Sequence, residues 1–235
     1  MPKQPPTLQR YDDGTPSVLR KATVYTDLFF YKKGEVLVQL TKTFCERFLP
    51  AHGDRTVDQM VQAARSVTAN IAEGLTDGQT SFEVEIKLLG IAKGSLHELM
   101  RDYTSYLAHL GLPDWGAHLS ARGATAPHPR YEPMHTYCRT RNDLADYQPF
   151  FSSWSDEEMA NTAICLCHIV DRMMTTFIES RDREFVEQGG IRERMTAARL
   201  DRRETQQQTI ARQQAEIEAL KAEITQLKKK LADLE

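Results

Sequence analysis

The C-terminal part of the sequence repeats apolar residues with a period of seven. Isoleucine recurs at one position of the repeat and leucine at another, with charged and polar residues between them. This seam consists of Ile210, Ile217, Leu220, Ile224, Leu227, Leu231 and Leu234. Isoleucine at the a position combined with leucine at the d position favours two parallel helices. The repeat therefore predicts a parallel coiled coil that joins copies of the chain.

Charged residues beside the seam indicate which helix would pack against it. Glu216 and Glu223 fall at g positions of the heptad, and Lys221 and Lys228 fall at the e positions that follow. This spacing allows salt bridges between parallel chains. Docking of the stripe on the rest of the chain is the alternative, but the arrangement of charges favours self-association. We therefore expect a homo-oligomer whose subunit number the repeat leaves open between dimer and trimer.

The composition favours a globular protein without a membrane segment. Of the 235 residues, 40% are apolar and 27% are charged, which is ordinary for a chain with a buried core. No run approaches 18 uncharged apolar residues, and the first residues contain no apolar signal region. The four cysteines lack CxxC spacing, which suits reduced thiols. These features predict a cytoplasmic protein with no membrane partner.

Four segments before the tail carry apolar residues at intervals of three and four, as amphipathic helices do. They cover about residues 22–49, 55–75, 81–110 and 155–188, and the last opens with a capping box of Ser155 and Glu158. We predict an all-α chain in three parts. A loose N-terminal arm covers 1–21, an antiparallel up-and-down four-helix bundle covers 22–190, and a C-terminal helix with the coiled coil covers 191–235. Residues 111–150 show neither period and are predicted to form a long irregular connection.

Two charged residues interrupt the apolar stripe of the third helix. Glu85 and Lys93 both lie where the rhythm expects an apolar side chain. An internal ion pair, or a polar contact to a neighbouring helix, would account for them.

A second face of the second helix is small and polar. In the stretch AARSVTANIAEG, residues 63–74, Ser66, Asn70 and Glu73 point away from the core stripe on a helical wheel. A face exposed only to solvent more often carries long charged side chains, so contact with another protein surface is one hypothesis. A plain solvent face is the other. Gly74 is interpreted as the residue that ends this helix.

Candidate metal and catalytic residues are few. Cys165, Cys167 and His168 are close in sequence, but the two cysteines point about 200° apart on a helix and cannot share an ion. The other candidates, His128, His135 and Cys138, lie in the irregular segment. No nucleophile elbow, metalloprotease motif or glycine-rich phosphate loop is present. We therefore predict that the chain has no catalytic residue, metal site or cofactor. We also predict that it is not an enzyme.

The charge of the chain is uneven. Residues 189–212 carry six arginines against three acidic residues, although the whole chain has a net charge of −3. A solvated helix face is one interpretation. The other is a nucleic-acid contact, because clustered arginines bind phosphates. The residues of that second hypothesis are Arg192, Arg194, Arg199, Arg202 and Arg203.

Two stretches in order carry a family resemblance. ARSVTANIAEG (64–74), followed by SFEVEIKLLGIAKGSLHEL (81–99), resembles the four-helix-bundle proteins of 23S rRNA intervening sequences. This resemblance covers about residues 23–110. A longer branch of the family, with a four-helix-bundle suffix, is also similar at GDRTVDQMVQAARS (53–66) and GGIRERMTAARL (189–200). The coiled coil lies outside the family pattern.

The resemblance implies a fold and a set of partners. It implies an up-and-down four-helix bundle assembled into a ring, which is pentameric in known members, whereas the tail predicts a dimer or trimer. It also implies kinship with the accessory protein of diversity-generating retroelements, which binds nucleic acid and partners a reverse transcriptase. It implies no catalytic residues. We therefore predict a non-enzymatic, homo-oligomeric scaffold or adaptor. The alternative is a nucleic-acid-binding accessory protein that partners a reverse transcriptase or an RNA element.

Overall fold

The computed structural model describes residues 8–49, 55–117, 126 and 128–232, and it is all-α apart from two very short strands. The helices are α1 (Phe29–Phe48), α2 (Arg55–Asp77), α3 (Phe82–Leu110), α4 (Tyr131–Thr140), α5 (Leu144–Tyr147), α6 (Asp156–Gln188) and α7 (Ile191–Ala232). The strands are β1 (Gln9–Arg10) and β2 (Pro16–Ser17). The chain divides into two compact units. The helical unit is Lys21–Phe185, and the tail unit combines Met1–Arg20 with Val186–Glu235.

Local sequence signals fix the starts of two long helices. At α3, the Ser81 side chain accepts a hydrogen bond from the Val84 amide. At α6, the predicted capping box is confirmed, because the Glu158 amide donates to Ser155 Oγ and the Ser155 amide donates to the Glu158 carboxylate. Each contact satisfies an amide that the first turn of a helix leaves without a partner.

The core of the helical unit lies between α1, α2, α3 and α6. Phe44 of α1 packs edge-on against Tyr103 of α3, with ring centroids 4.9 Å apart, and both rings are buried. The Tyr103 hydroxyl donates to Thr41 Oγ1 at 3.0 Å, so its polar atom is satisfied inside the core. Phe30 at the start of α1 packs on Phe177 of α6. The apolar stripes predicted from the sequence thus face one another.

The interpretation of Gly74 as a helix stop is wrong. Helix α2 continues to Asp77, and Gly74 is buried where α2 meets α3. A Cβ atom at this position would lie 3.0 Å from Leu88 Cβ and 3.3 Å from the Glu85 carbonyl oxygen. Glycine is required here because two helix backbones approach closely, a relationship that the spacing of one helix alone does not reveal.

The two charged residues in the stripe of α3 both contact α6. Lys93 Nζ lies 2.5 Å from Thr175 Oγ1 and 3.3 Å from Asp171 Oδ1. Glu85 Oε1 lies 2.9 Å from Arg181 Nε. The prediction of polar contacts to a neighbouring helix is confirmed, and these pairs fix the register between α3 and α6.

The segment 111–150 contains more helix than its sequence predicts. Helices α4 and α5 lie inside it, and the buried side chains of Tyr131, Cys138 and Tyr147 join them to the core. The Tyr137 hydroxyl ties the two helices together by donating to the Asp146 carbonyl oxygen at 2.6 Å. Helices of this length show too few turns for a 3.6-residue period to be recognised. Residues 118–125 and 127 lie outside the described part of the chain.

In the tail unit, residues 8–20 are more ordered than the predicted loose arm. Strands β1 and β2 pair antiparallel, with Gln9 opposite Ser17, and Gly14 adopts a φ of +80° in the turn between them. Arg10 of β1 forms an ion pair with Asp201 of α7 at 2.6 Å. Strands of two residues are too short for an alternating pattern to predict.

None of the described helices is long and apolar enough to cross a membrane.

Candidate interaction surfaces

The predicted coiled-coil seam lies on the open surface of α7. The five seam residues whose side chains are described keep between 49% and 57% of their surface exposed. They are Ile210, Ile217, Leu220, Ile224 and Leu227. The side chain of Leu231 and the whole of Leu234 lie outside the described residues. A helix that exposes aliphatic residues at heptad spacing has an apolar face that a single chain leaves uncovered.

The charges beside the seam are also exposed. Glu216, Glu223 and Lys228 are exposed, and Lys221 Nζ lies 2.9 Å from Glu218 Oε1 of the same helix. That contact spans three residues between two exposed side chains, so it contributes little to stability. The g and e positions of α7 therefore present opposite charges on either side of an apolar stripe.

The small polar face of α2 is partly satisfied within its own helix. Asn70 Nδ2 donates to the Ser66 carbonyl oxygen at 2.8 Å, and both residues are half-buried, whereas Glu73 is exposed. Ser66 also lines a groove of about 380 Å³ between α2 and α3, together with Glu98 and Arg101 of α3. The structure thus places part of this face beside the outer surface of α3.

The five arginines proposed for nucleic-acid contact divide into two groups. Arg192, Arg199, Arg202 and Arg203 are exposed on α7. Arg194 is 2% exposed and donates to the carbonyl oxygens of Val18 at 3.1 Å and Leu19 at 3.0 Å. This position corrects the expectation for Arg194, because its guanidinium holds the N-terminal segment of the tail unit.

The six candidate metal ligands do not form one cluster. His135, Cys165 and His168 line one cavity of about 450 Å³. Cys167 is buried in the core, and His128 stacks on Trp115 with the rings 5.2 Å apart. The pKa of Cys165 is raised, chiefly by a hydrogen bond with the Cys138 thiol and secondly by burial, so this sulfur stays protonated. Within the described ranges, no three His, Cys, Asp or Glu side chains are grouped to hold a metal ion.

One buried cation was not singled out from the sequence. Lys33 of α1 is 0% exposed, and its ammonium donates to the carbonyl oxygens of Cys138 and Arg141 at the end of α4. Burial lowers the pKa of Lys33. The Tyr147 hydroxyl also donates to the Arg141 carbonyl oxygen, at 3.1 Å. Because the last carbonyls of a helix need donors, Lys33 acts as an internal cap for α4.

The sequence did contain a signal for Lys33. Phe30, Lys33 and Leu37 follow one another at intervals of three and four on the buried stripe of α1. A lysine in that position predicts an internal polar partner, in the same way as Lys93 does in α3.

Comparison with known proteins supports the family resemblance. Residues 26–110 match the family model described as 23S rRNA-intervening sequence protein. This segment contains α1, α2 and α3, and the match confirms the family predicted from the two sequence stretches. No curated protein and no solved structure matches the chain. The family description names no reaction.

Proposed function

We propose that this chain, which carries the 23S rRNA-intervening sequence protein segment at residues 26–110, is a non-enzymatic scaffold or adaptor that assembles through its C-terminal helix. In this proposal α1, α2, α3 and α6 form an antiparallel up-and-down four-helix bundle. The contacts Phe30–Phe177, Phe44–Tyr103 and Glu85–Arg181 support that arrangement. Helix α7 supplies a parallel coiled coil that holds copies of the bundle together in the cytoplasm.

The observation that carries the proposal is the exposed seam of α7. Ile217, Leu220 and Ile224 are each about half exposed, and the residues between them are charged residues and alanines. Complete burial of one such side chain contributes roughly 1.5–3 kcal/mol. A seam of five described aliphatic residues thus offers a large apolar area to a matching helix.

The charges at the g and e positions of α7 favour α7 of a second copy, in parallel orientation, as the matching helix. In a parallel pair, Glu216 of one chain lies near Lys221 of the other, and Glu223 lies near Lys228. An antiparallel pair would lose this matching of g with e positions. The small polar face of Ser66, Asn70 and Glu73 offers a second contact between bundles.

The seam is tested by light scattering on the full chain. Ile217→Asp combined with Ile224→Asp places two charges in the seam, and we expect the mass to fall to that of a smaller assembly or one chain. The matched control is Ala215→Asp combined with Ala222→Asp, which adds the same charges at outward f positions. The control is expected to keep the mass of the unmodified chain. Equal masses for all three proteins would contradict assembly through the seam.

A second candidate function is nucleic-acid binding, with an RNA element or a reverse transcriptase as partner. It is favoured by the exposed arginines, of which Arg192, Arg199 and Arg203 lie within about 40° on one face of α7. Arginines spaced along one helix face can contact successive phosphates.

This second candidate is tested by titrating a single-stranded RNA at increasing salt. Arg199→Glu combined with Arg203→Glu is expected to weaken binding and to flatten the dependence on salt. Arg65→Glu, which changes an exposed arginine of α2, serves as the control. The absence of binding by the unmodified chain at low salt would remove this candidate and leave the scaffold proposal standing.

A further inference from the structure

The outward face of α3 carries charges of both signs around a centre of small and apolar residues. Its residues are all exposed and recur at intervals of three and four, except that Ile91 directly follows Gly90 at the centre. They are Glu83, Lys87, Gly90, Ile91, Gly94, Glu98 and Arg101. The face runs for 19 residues, from Glu83 to Arg101, which is about 27 Å of helix. It lies opposite the buried stripe of α3, which includes Leu89, Leu96 and Tyr103.

The four charged residues of this face are not used in contacts between helices. In the described part of the chain, the side-chain hydrogen bonds and ion pairs that join helices involve other residues than Glu83, Lys87, Glu98 and Arg101. By contrast, Glu85 and Lys93 on the other side of the same helix both pair with α6. The outward charges are therefore available to a partner.

The order of the charges is self-complementary when α3 is reversed on itself. Around a two-fold axis near residue 92, Glu83 lies opposite Arg101 of a second copy, and Lys87 lies opposite Glu98. Each pairing occurs twice because the axis exchanges the two copies. In a parallel arrangement, each charge would instead meet its own copy. The charge pattern therefore selects an antiparallel contact.

The centre of the face has the shape that this contact requires. Ile91 is 46% exposed and lies between Gly90 and Gly94 in sequence. In the reversed pair, Ile91 of one copy falls between Gly90 and Gly94 of the other. A Cβ atom at either glycine would meet no atom within 4 Å, so packing inside the chain does not explain them. Glycine in a helix interior destabilises the helix relative to alanine, so its presence needs a reason. At Gly74 the reason is close packing against α3 within the same chain, and among the described residues no such packing exists at Gly90 or Gly94.

We propose that α3 forms an antiparallel contact with α3 of a second copy, centred on Ile91 and the two glycines and fixed by the pairs Glu83–Arg101 and Lys87–Glu98. This contact does not depend on the coiled coil, because it lies in the helical unit and has its own two-fold axis. With this contact and a two-stranded coiled coil, one chain contacts two neighbouring chains or contacts one neighbouring chain at two places. The groove lined by Ser66, Glu98 and Arg101 places the polar face of α2 at the edge of the same surface.

The test uses the full chain with Ile217→Asp and Ile224→Asp, so that the coiled coil does not contribute. Sedimentation over a range of concentrations is expected to show reversible association of this parent protein. Lys87→Glu and Glu98→Lys are then added singly and together. Each single change turns two attractive pairs into repulsive pairs and is expected to raise the dissociation constant by about tenfold. The double change exchanges the charges and is expected to restore the parent value.

Mixing the two single variants gives the sharpest outcome. Between a Lys87→Glu chain and a Glu98→Lys chain both pairs are again attractive, so the mixture is expected to associate more tightly than either variant alone. A parent protein that stays monomeric at every concentration would overturn the proposal. Equal dissociation constants for all variants, or a double variant as weak as the single ones, would also overturn it. The coiled-coil proposal fails independently of this one. It is contradicted if the Ile217→Asp, Ile224→Asp variant has the same mass as the unmodified chain.

Discussion

Glu85 of α3 and Arg181 of α6 form an ion pair in which the carboxylate is 1% exposed and the two nearest atoms are 2.9 Å apart. Arg181 also donates to Thr23 Oγ1 and Glu184 Oε2, both at 2.6 Å, so one guanidinium joins three parts of the helical unit. The same carboxylate approaches Gly78, where an added Cβ would lie 2.6 Å from Glu85 Oε2. This cluster fixes where the end of α2 and the start of α3 lie against α6.

The first prediction concerns this ion pair. Arg181→Met leaves the Glu85 carboxylate buried without its cation, and we expect the free energy of unfolding to fall by about 2–4 kcal/mol. Arg183→Met is the matched control, because Arg183 pairs with Glu179 at 4.0 Å and both side chains are largely exposed. The control is expected to change the free energy by less than about 0.5 kcal/mol. Urea denaturation measures both, and equal losses would show that the buried pair has no special role.

The second prediction concerns Lys33 and pH. Burial lowers the pKa of Lys33 in the folded chain, whereas an unfolded lysine titrates near its ordinary value. Between these two pKa values the unfolded state binds more protons, so the contribution of Lys33 to the free energy of unfolding rises with pH. Lys33→Met removes this contribution. The difference in unfolding free energy between the unmodified chain and the variant should therefore increase from neutral pH towards about pH 10.

Denaturant titrations of the two proteins at several pH values measure this difference. Tyrosine and cysteine residues that titrate at alkaline pH are present in both proteins and largely cancel. A difference that stays constant or decreases as the pH rises would contradict a lowered pKa for Lys33.

The third prediction compares two glycines of adjacent helices. Gly74→Ala forces a methyl group against Leu88 Cβ and the Glu85 carbonyl oxygen, and should lower the free energy of unfolding by about 1–2 kcal/mol after the gain in helix propensity. Gly90→Ala meets no neighbouring atom and should raise it by about 0.5–1 kcal/mol. Both are measured at a dilution at which the proteins have the mass of one chain. The same sign for both variants would contradict the close approach of α2 and α3.

The fourth prediction concerns the thiols. All four cysteines are buried, and burial raises the pKa of Cys45 to about 11. Native protein should therefore react very slowly with a thiol reagent near pH 8, and all four thiols should react once denaturant is added. The Ala222→Cys variant, with one added cysteine on exposed α7, should show one rapid reaction per chain. Rapid reaction of the unmodified native chain would contradict the buried positions.

Periodicity predicted the long helices of this fold well. The stripes of α1, α2, α3 and α6 each run for five turns or more, so the spacing of apolar residues is clear, and the capping box at Ser155 marked the start of α6. The polar contacts of Glu85 and Lys93 could also be anticipated, because a charge on a buried face needs a partner.

The features that were missed depend on contacts distant in sequence. Gly74 ends no helix, because its role comes from the backbone of α3. The sequence does not distinguish Arg194 from the exposed arginines near it, because its contacts with Val18 and Leu19 are distant in the chain. Helices α4 and α5 are short and are held in place by Lys33 and Tyr147. The coiled-coil seam stays a prediction from heptad spacing, and its five described side chains are about half exposed on α7.

Oxidative cross-linking of a cysteine placed in the seam tests parallel self-association through α7 most directly. In a parallel coiled coil each d residue lies beside its own copy, so Leu220→Cys should form a disulfide-linked dimer under mild oxidation. Ala222→Cys places the thiol at an outward position of the same turn and should remain largely unlinked. Efficient linkage of the first variant alone is the result predicted here. No linkage at Leu220→Cys, or equal linkage of the two variants, would contradict the parallel seam.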